Sequence, residues 1–119
     1  MKNMEKIKFN LTNTAIDLYL FDGIFKPTET TKLLVDSVIT NCNDIVNKKI
    51  LDLGAGSGVV AISLNKEGLG NNNFYASDLN DNTVECVLHN ANHNNCKINV
   101  KKGSLFEPWH QEKFDLIID

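Results

Sequence analysis

The sequence predicts an α/β protein: a mostly parallel sheet with flanking helices, preceded by an N-terminal β-hairpin. Three observations predict it. From Lys49 onward, short apolar runs alternate with segments of three-to-four periodicity, the pattern of strand–helix–strand units and hence of a parallel sheet buried on both faces. A glycine-rich loop, Gly54-Ala55-Gly56-Ser57-Gly58, stands between one such run and the helix after it. At 119 residues the chain has material for one small domain and not two.

The elements follow in order. Ile7 to Leu11 alternates apolar and polar residues, as a half-buried strand does. Ile16–Phe21 and Ile24-Phe25 flank Asp22-Gly23; Asp-Gly between apolar runs signals a hairpin, because both turn positions favour positive φ. Pro27 ends that strand. Thr28 to Ile39 reads as a helix, with Leu34, Val35, Val38 and Ile39 on one side and Thr28 supplying an N-cap oxygen. After a connector from Asn41 to Asn47, Lys49–Leu53 is a buried strand. Val59 to Lys66 is a short helix stopped by Gly68 and Gly70. Phe74–Asp78 is the next strand and Asn80 to Asn92 the next helix, with Val84, Val87, Leu88 and Ala91 on one face. Ile98–Val100 and Phe114–Ile118 are the last two strands. The final strand reaches Asp119 with no helix after it, the pattern of a sheet cut short after its fourth core strand. Residues 1–26 are then a strand and hairpin, and 27–119 a partial domain.

Composition narrows the function. The apolar share is 42% and the charged share 23%, ordinary for a soluble globular chain. No apolar run approaches the length of a membrane span, and no apolar core follows the charged start, so a cytoplasmic protein without membrane contact is expected. Net charge is -3 with signs interspersed, which gives no footprint for a nucleic-acid backbone. Cys42, Cys86 and Cys96 are odd in number and lack C-x-x-C spacing, so reduced thiols are expected. The asparagines at 71–73 and from 90 to 95 read as loops and helix ends.

The glycine loop carries the chemistry. Glycines let the chain turn tightly and let a ligand approach the backbone, and a helix start presents free N–H groups. The spacing is G-x-G-x-G; Val59 stands where a dinucleotide fingerprint needs glycine, which argues against a nicotinamide or flavin site. Asp78 closes the next strand, where a carboxylate can accept both hydroxyls of a ribose. The bland readings are a ligand-free turn for the glycines and a helix cap for Asp78.

These residues resemble the class I, Rossmann-like S-adenosylmethionine-dependent methyltransferases. Leu51–Gly58 is similar to their first motif, and Ala76-Ser77-Asp78-Leu79-Asn80 to their second. Within the class, the chain looks most like the HemK-type glutamine N5-methyltransferases and related small-domain methyltransferases. Phe25–Leu34 is similar to the family's Pro-x-x-Asp-Thr stretch, Gly103–Pro108 to its acidic-Leu-Phe loop, and Phe114–Asp119 to the strand leading into Asn-Pro-Pro-Tyr. Thr30 replaces the usual Asp of the first stretch, and Ser104 replaces an acid that commonly meets the adenine. The Asn-Pro-Pro-Tyr segment itself is absent.

The resemblance implies S-adenosyl-L-methionine as cofactor. It implies that Gly54, Ala55, Gly56, Ser57 and Gly58 admit the methionine part, with Asp52 near its amino group. Asp78 and Leu79 would serve the ribose, Ser104 and Leu105 the adenine, and Thr31 would line the site from the first helix. The implied reaction is N-methylation of a glutamine side chain in a protein such as a release factor. Asn-Pro-Pro-Tyr supplies the acceptors that align the target nitrogen, so no catalytic residue is named and these 119 residues alone are expected to be inactive. An exocyclic base nitrogen in RNA or DNA is the alternative target. A non-catalytic cofactor-binding or scaffolding module, able to form a homodimer through the open sheet edge, is the alternative of another class. No metal site is expected: His89 and His93 share a helix face near Cys86 and Cys96, but the solvated-face reading outweighs a zinc pair. Trp109 either anchors its loop or covers a ligand.

Overall fold

The computed structural model describes residues 3–104 and 107–119. Its centre is a four-stranded parallel sheet ordered β5-β4-β3-β6, built from β3 (Lys49–Leu53), β4 (Asn73–Asp78), β5 (Ile98–Lys102) and β6 (Leu116–Ile118). The chain steps outward from β3 to β5 and then returns to lay β6 on the other side of β3. The strand order therefore reverses at β3, and the crevice outside the carboxyl ends of β3 and β6 is where such sheets bind ligands.

β3 is buried on both faces, as its unbroken apolar run requires: Ile50 and Leu51 point to opposite sides and are both essentially inaccessible. On one side Ile50 and Phe74 pack with Val35 of α1 (Glu29–Cys42), Ile62 and Leu64 of α2 (Val59–Leu64), and Val87 of α3 (Asp81–His93). On the other, Leu51 and Leu53 pack with Trp109, against Tyr75 and Phe114. Trp109 stands edge-on to Tyr75 at 5.1 Å between centroids, so of the two readings it takes the loop anchor. Phe114 packs as part of this cluster and lies ahead of the strand, which starts at Leu116.

Local rules set the helix ends. Thr28 caps α1 in a reciprocal box with Thr31: the Thr31 N–H donates to Thr28 Oγ1 and the Thr28 N–H to Thr31 Oγ1. The helix then runs three residues past Ile39, into the segment expected to be a connector. α2 ends at Leu64 and continues as a π turn, Asn65–Leu69, in which Gly68 has φ +139°. Asn80 caps α3 by accepting from the Asn82 N–H. Among the described residues no helix is long and apolar enough to cross a membrane.

The N-terminal hairpin exists, but its turn is not at Asp22-Gly23. β1 (Met4–Asn10) pairs antiparallel with β2 (Ala15–Phe21), in register from Met4↔Phe21 to Asn10↔Ala15. The turn is Leu11–Thr14, closed by the Leu11 N–H donating to the Thr14 carbonyl at 2.7 Å. Asp22-Gly23 does turn the chain, with Ile24 N–H bonded to the Phe21 carbonyl. Of the two central residues, however, only Gly23 has positive φ, so the tight turn that pairs strands does not form. The chain leaves β2 there and runs through Pro27 into α1. Leu11, Ile16 and Leu18 of the hairpin enter the same core as Ile50 and Phe74.

The second edge of β2 is closed by side chains of α3. Asn82, Cys86, Asn90 and Asn94 are spaced four apart and so share one helix face. Asn82 donates to the Asp22 carbonyl at 2.9 Å, Cys86 Sγ to the Tyr19 carbonyl at 3.2 Å, and Asn94 to the Asp17 carbonyl at 2.8 Å. Burial pushes the Cys86 thiol up, which keeps its S–H as a donor. Asn90 both accepts from and donates to Tyr19. The asparagines of this helix thus include edge-closing groups as well as helix ends. His89 and His93 stand edge-on to the Tyr19 ring, at 4.7 and 5.1 Å.

Candidate cofactor site

At the carboxyl end of the sheet, two hollows meet at Gly54 and Asp78. The larger, about 390 Å³, lies between the glycine loop and the segment that joins β2 to α1; Gly54, Ala55, Gly56, Ser57 and Asp78 form one side, Gly23 to Pro27 and Thr31 the other. The smaller, about 180 Å³, runs over the ends of β3, β4 and β6 and is lined by Leu53, Gly54, Asp78, Leu79, Ser104 and Asp119 among others. Asp78 stands at the junction.

The loop's shape follows from its glycines. Gly54, Gly56 and Gly58 have φ of +66°, +59° and +84°, a region that costs other residues strain. They divide by role. A Cβ on Gly54 or Gly56 would meet nothing within 4 Å, whereas one on Gly58 would stand 3.1 Å from Val87 Cγ1 and 3.3 Å from Ile62 Cδ1. The first two keep backbone open to the cleft, while the third lets α2 pack on α3. The loop is tied to β4 by Gly54 and Ala55 N–H groups, both donating to the Ser77 carbonyl.

Asp78 accepts from the Gly56 N–H at 3.5 Å and from the Asn80 N–H at 3.3 Å. Both contacts are long, and the carboxylate keeps lone pairs for a ligand. The α3 cap is Asn80, not Asp78. Asp52, only 5% exposed, lies beneath the loop and lines neither hollow. It accepts from the Ala61 N–H in the first turn of α2, whose N-cap Gly58 has no side chain to offer. Its other oxygen, Oδ2, is buried without a partner, as is Ser57 Oγ. Burial, with the charges of Asp78 and Asp119, pushes the Asp52 carboxyl up to about 7.

Most of the residues expected at the site are brought together here. Thr31, Gly54, Ala55, Gly56, Ser57 and Asp78 line the larger hollow, and Leu79 and Ser104 the smaller. Asp52 and Gly58 stand behind the loop, and Leu105 lies outside the described residues. Sequence reasoning missed the Gly23–Pro27 wall, Val59, Thr83 and Asp119. Asp119 had a partial signal, since it ends an apolar run that reads as a strand; Phe25, Lys26 and Pro27 of the wall fall in the stretch similar to the family's Pro-x-x-Asp-Thr, but nothing in it marks them as lining residues. Among the described residues no group of three or more His, Cys, Asp or Glu could hold a metal ion.

Residues 23–119 match the methyltransferase small domain. The chain belongs to that family. A release factor glutamine methyltransferase of Flavobacterium psychrophilum is 30% identical over 99% of this chain and 44% of its own. The chain superposes on the T. thermophilus 16S rRNA N2 G1207 methyltransferase, solved with AdoMet and guanosine, with a TM-score of 0.85 at 18% identity, covering 96% of this chain and 32% of that one. It also superposes on the Pyrococcus abyssi tRNA (uracil-54, C5)-methyltransferase, solved with S-adenosyl-L-homocysteine, with a TM-score of 0.72 at 26% identity, covering 97% and 27%. The chain spans less than half the length of the curated relatives it matches. The cofactor of this family is S-adenosylmethionine, and the open glycine backbone, the free lone pairs of Asp78 and the acidic surround fit a cationic nucleoside of that kind.

Proposed function

We propose that this chain is the cofactor-holding portion of an S-adenosylmethionine-dependent methyltransferase that methylates the side-chain nitrogen of a glutamine in a protein such as a release factor. The observation that carries the cofactor reading is the position of Asp78, shared by both hollows and facing the open backbone of Gly54 and Gly56. The acceptor reading rests on similarity to the Flavobacterium enzyme.

When bound, the cofactor supplies a methyl group on a positively charged sulfur. The chain's own residues do the rest by binding and orienting. Asp78 accepts hydrogen bonds from a ribose that Leu79 adjoins, Ser104 flanks a base, and Gly54, Ala55, Gly56, Ser57 and Thr31 enclose the amino-acid end. Asp52 acts through the loop it supports. Asp78 and Asp119 line the crevice and make it acidic, which favours a cationic ligand over an anionic pyrophosphate. No residue here matches the Asn-Pro-Pro-Tyr segment that would align the acceptor nitrogen, so binding without turnover is expected of these residues alone.

Calorimetric titration with S-adenosylmethionine and S-adenosylhomocysteine tests this, with Asp78→Ala as control and NADH as competitor. The expected result is micromolar binding of both, lost in the variant and indifferent to NADH. A folded chain that binds neither, or that binds NADH in their place, overturns the proposal.

A further inference from the structure

We infer that Asn90 is a positioning residue for the cofactor cleft: one buried amide on α3 holds the glycine loop and the opposing Gly23–Pro27 wall at a set separation. The inference rests on the cofactor reading above.

Asn90 is completely inaccessible to solvent, and both its amide hydrogens and its amide oxygen have partners. Oδ1 accepts from the Tyr19 N–H at 2.7 Å, and Nδ2 donates to the Tyr19 carbonyl at 2.8 Å and to the Ser57 carbonyl at 2.8 Å. A carboxamide presents donor and acceptor side by side, so it can pair with one residue of a free strand edge as a neighbouring strand would. Its second N–H then remains, and here it reaches the middle of the glycine loop. Ser57 lies between Gly56, whose N–H faces Asp78, and Gly58, which starts α2.

The two ends of this link lie on opposite sides of the larger hollow. Ser57 is on the loop side, and β2 continues within two residues of its end into the segment from Gly23 that forms the wall. Asn82 reinforces the same connection by holding the Asp22 carbonyl at 2.9 Å. An apolar side chain at position 90 would fill the space but leave the Tyr19 N–H and the Ser57 carbonyl without these partners, and the Tyr19 carbonyl with the weak Cys86 thiol donor alone. An aspartate would accept from Tyr19 but could not donate to either carbonyl until protonated.

The test compares three variants with the wild-type chain by calorimetric titration with S-adenosylhomocysteine: Asn90→Ala, Asn90→Asp, and Ile98→Ala, a core truncation on β5 away from the cleft. Folding is followed by Trp109 emission. We expect Asn90→Ala to lose at least tenfold in affinity at a temperature where it is folded, while Ile98→Ala, although destabilised, binds like wild type. Asn90→Asp should lose tenfold or more relative to wild type at pH 8 and regain most of it at pH 5.5. Taking the ratio to wild type at each pH cancels the response of every group common to the two proteins, among them Cys86 beside Asn90, His89 and His93 against the Tyr19 ring, and Asp52 beneath the loop. Equal affinity of Asn90→Ala and Ile98→Ala overturns the inference. If Asn90→Ala does not fold, a variant-to-wild-type ratio for Asn90→Asp that stays flat with pH overturns it instead. Absence of binding by the wild-type chain overturns the cofactor reading and this inference with it; wild-type binding that every Asn90 variant retains overturns this inference alone.

Discussion

Replacing Asp52 by asparagine should stabilise the ligand-free protein at neutral and alkaline pH and leave it nearly unchanged in acid. The carboxyl is 5% exposed, one oxygen takes a single N–H from Ala61, and Oδ2 has no partner. Desolvation, with Asp78 and Asp119 adding repulsion, raises it from 3.8 to about 7 in the folded chain. A raised carboxyl binds its proton more tightly folded than unfolded. The penalty is therefore absent below the unfolded value near 3.8, grows as pH climbs, and is complete above about 7. At about 1.4 kcal/mol per pH unit, the full penalty is about 4 kcal/mol. Asparagine keeps the bond to Ala61 and cannot ionise. Like the protonated acid it carries an unpartnered donor, so below about pH 4 the two proteins should agree within about 1 kcal/mol, and at pH 5 the variant should already lead by about 1.7 kcal/mol. The assay is urea unfolding at pH 5, 6, 7 and 8, read by emission of Trp109, the chain's single tryptophan, which is buried. The stability difference, variant minus wild type, should widen with pH and level off near pH 8. A difference that stays constant from pH 5 to pH 8 would show that Asp52 is not held as the structure places it.

Three further substitutions separate the roles of the loop and the first helix. Gly56→Ala should cost about 1 kcal/mol of stability from its positive φ alone yet weaken cofactor binding at least tenfold, because its Cβ enters the cleft; Gly58→Ala should cost about 3 kcal/mol through the same strain plus its clash with Val87 and Ile62. Urea midpoints and calorimetry on both decide this, and the division of roles fails if the two are equally stable. Thr28→Ala should lower stability by about 1 kcal/mol by breaking the reciprocal cap with Thr31, measured as a shift in urea midpoint with unchanged slope.

Much of the architecture and half of the site follow from rules that act locally. The strand–glycine–helix sequence at Lys49–Leu64 and the strand ending at Asp78 each declare themselves in the residues, and parallel strands must bring their carboxyl ends to one side. That geometry alone unites the loop with Asp78. The same locality explains the failures. Asp22-Gly23 carries a hairpin signal that its own backbone does not honour, because a turn pairs strands only if the chain beyond it has an edge to join. The α3 asparagines read as helix ends because their partners, the backbone groups of Asp17, Tyr19 and Asp22, lie some sixty to eighty residues earlier in the chain.

Sequence by itself determined the class of fold, the glycine loop, the acid that faces it and the cap of the first helix, since each depends on residues adjacent in the chain or on strand direction. Tertiary structure alone decided that β6 returns beside β3 and brings Asp119 to the crevice, that Gly23–Pro27 forms the opposing wall, and that Asp52 is buried under the loop. Those outcomes depend on strand order and on which face each side chain buries. Such choices are made by packing across the whole domain, where apolar surface is hidden only if hairpin, helices and sheet meet in one arrangement.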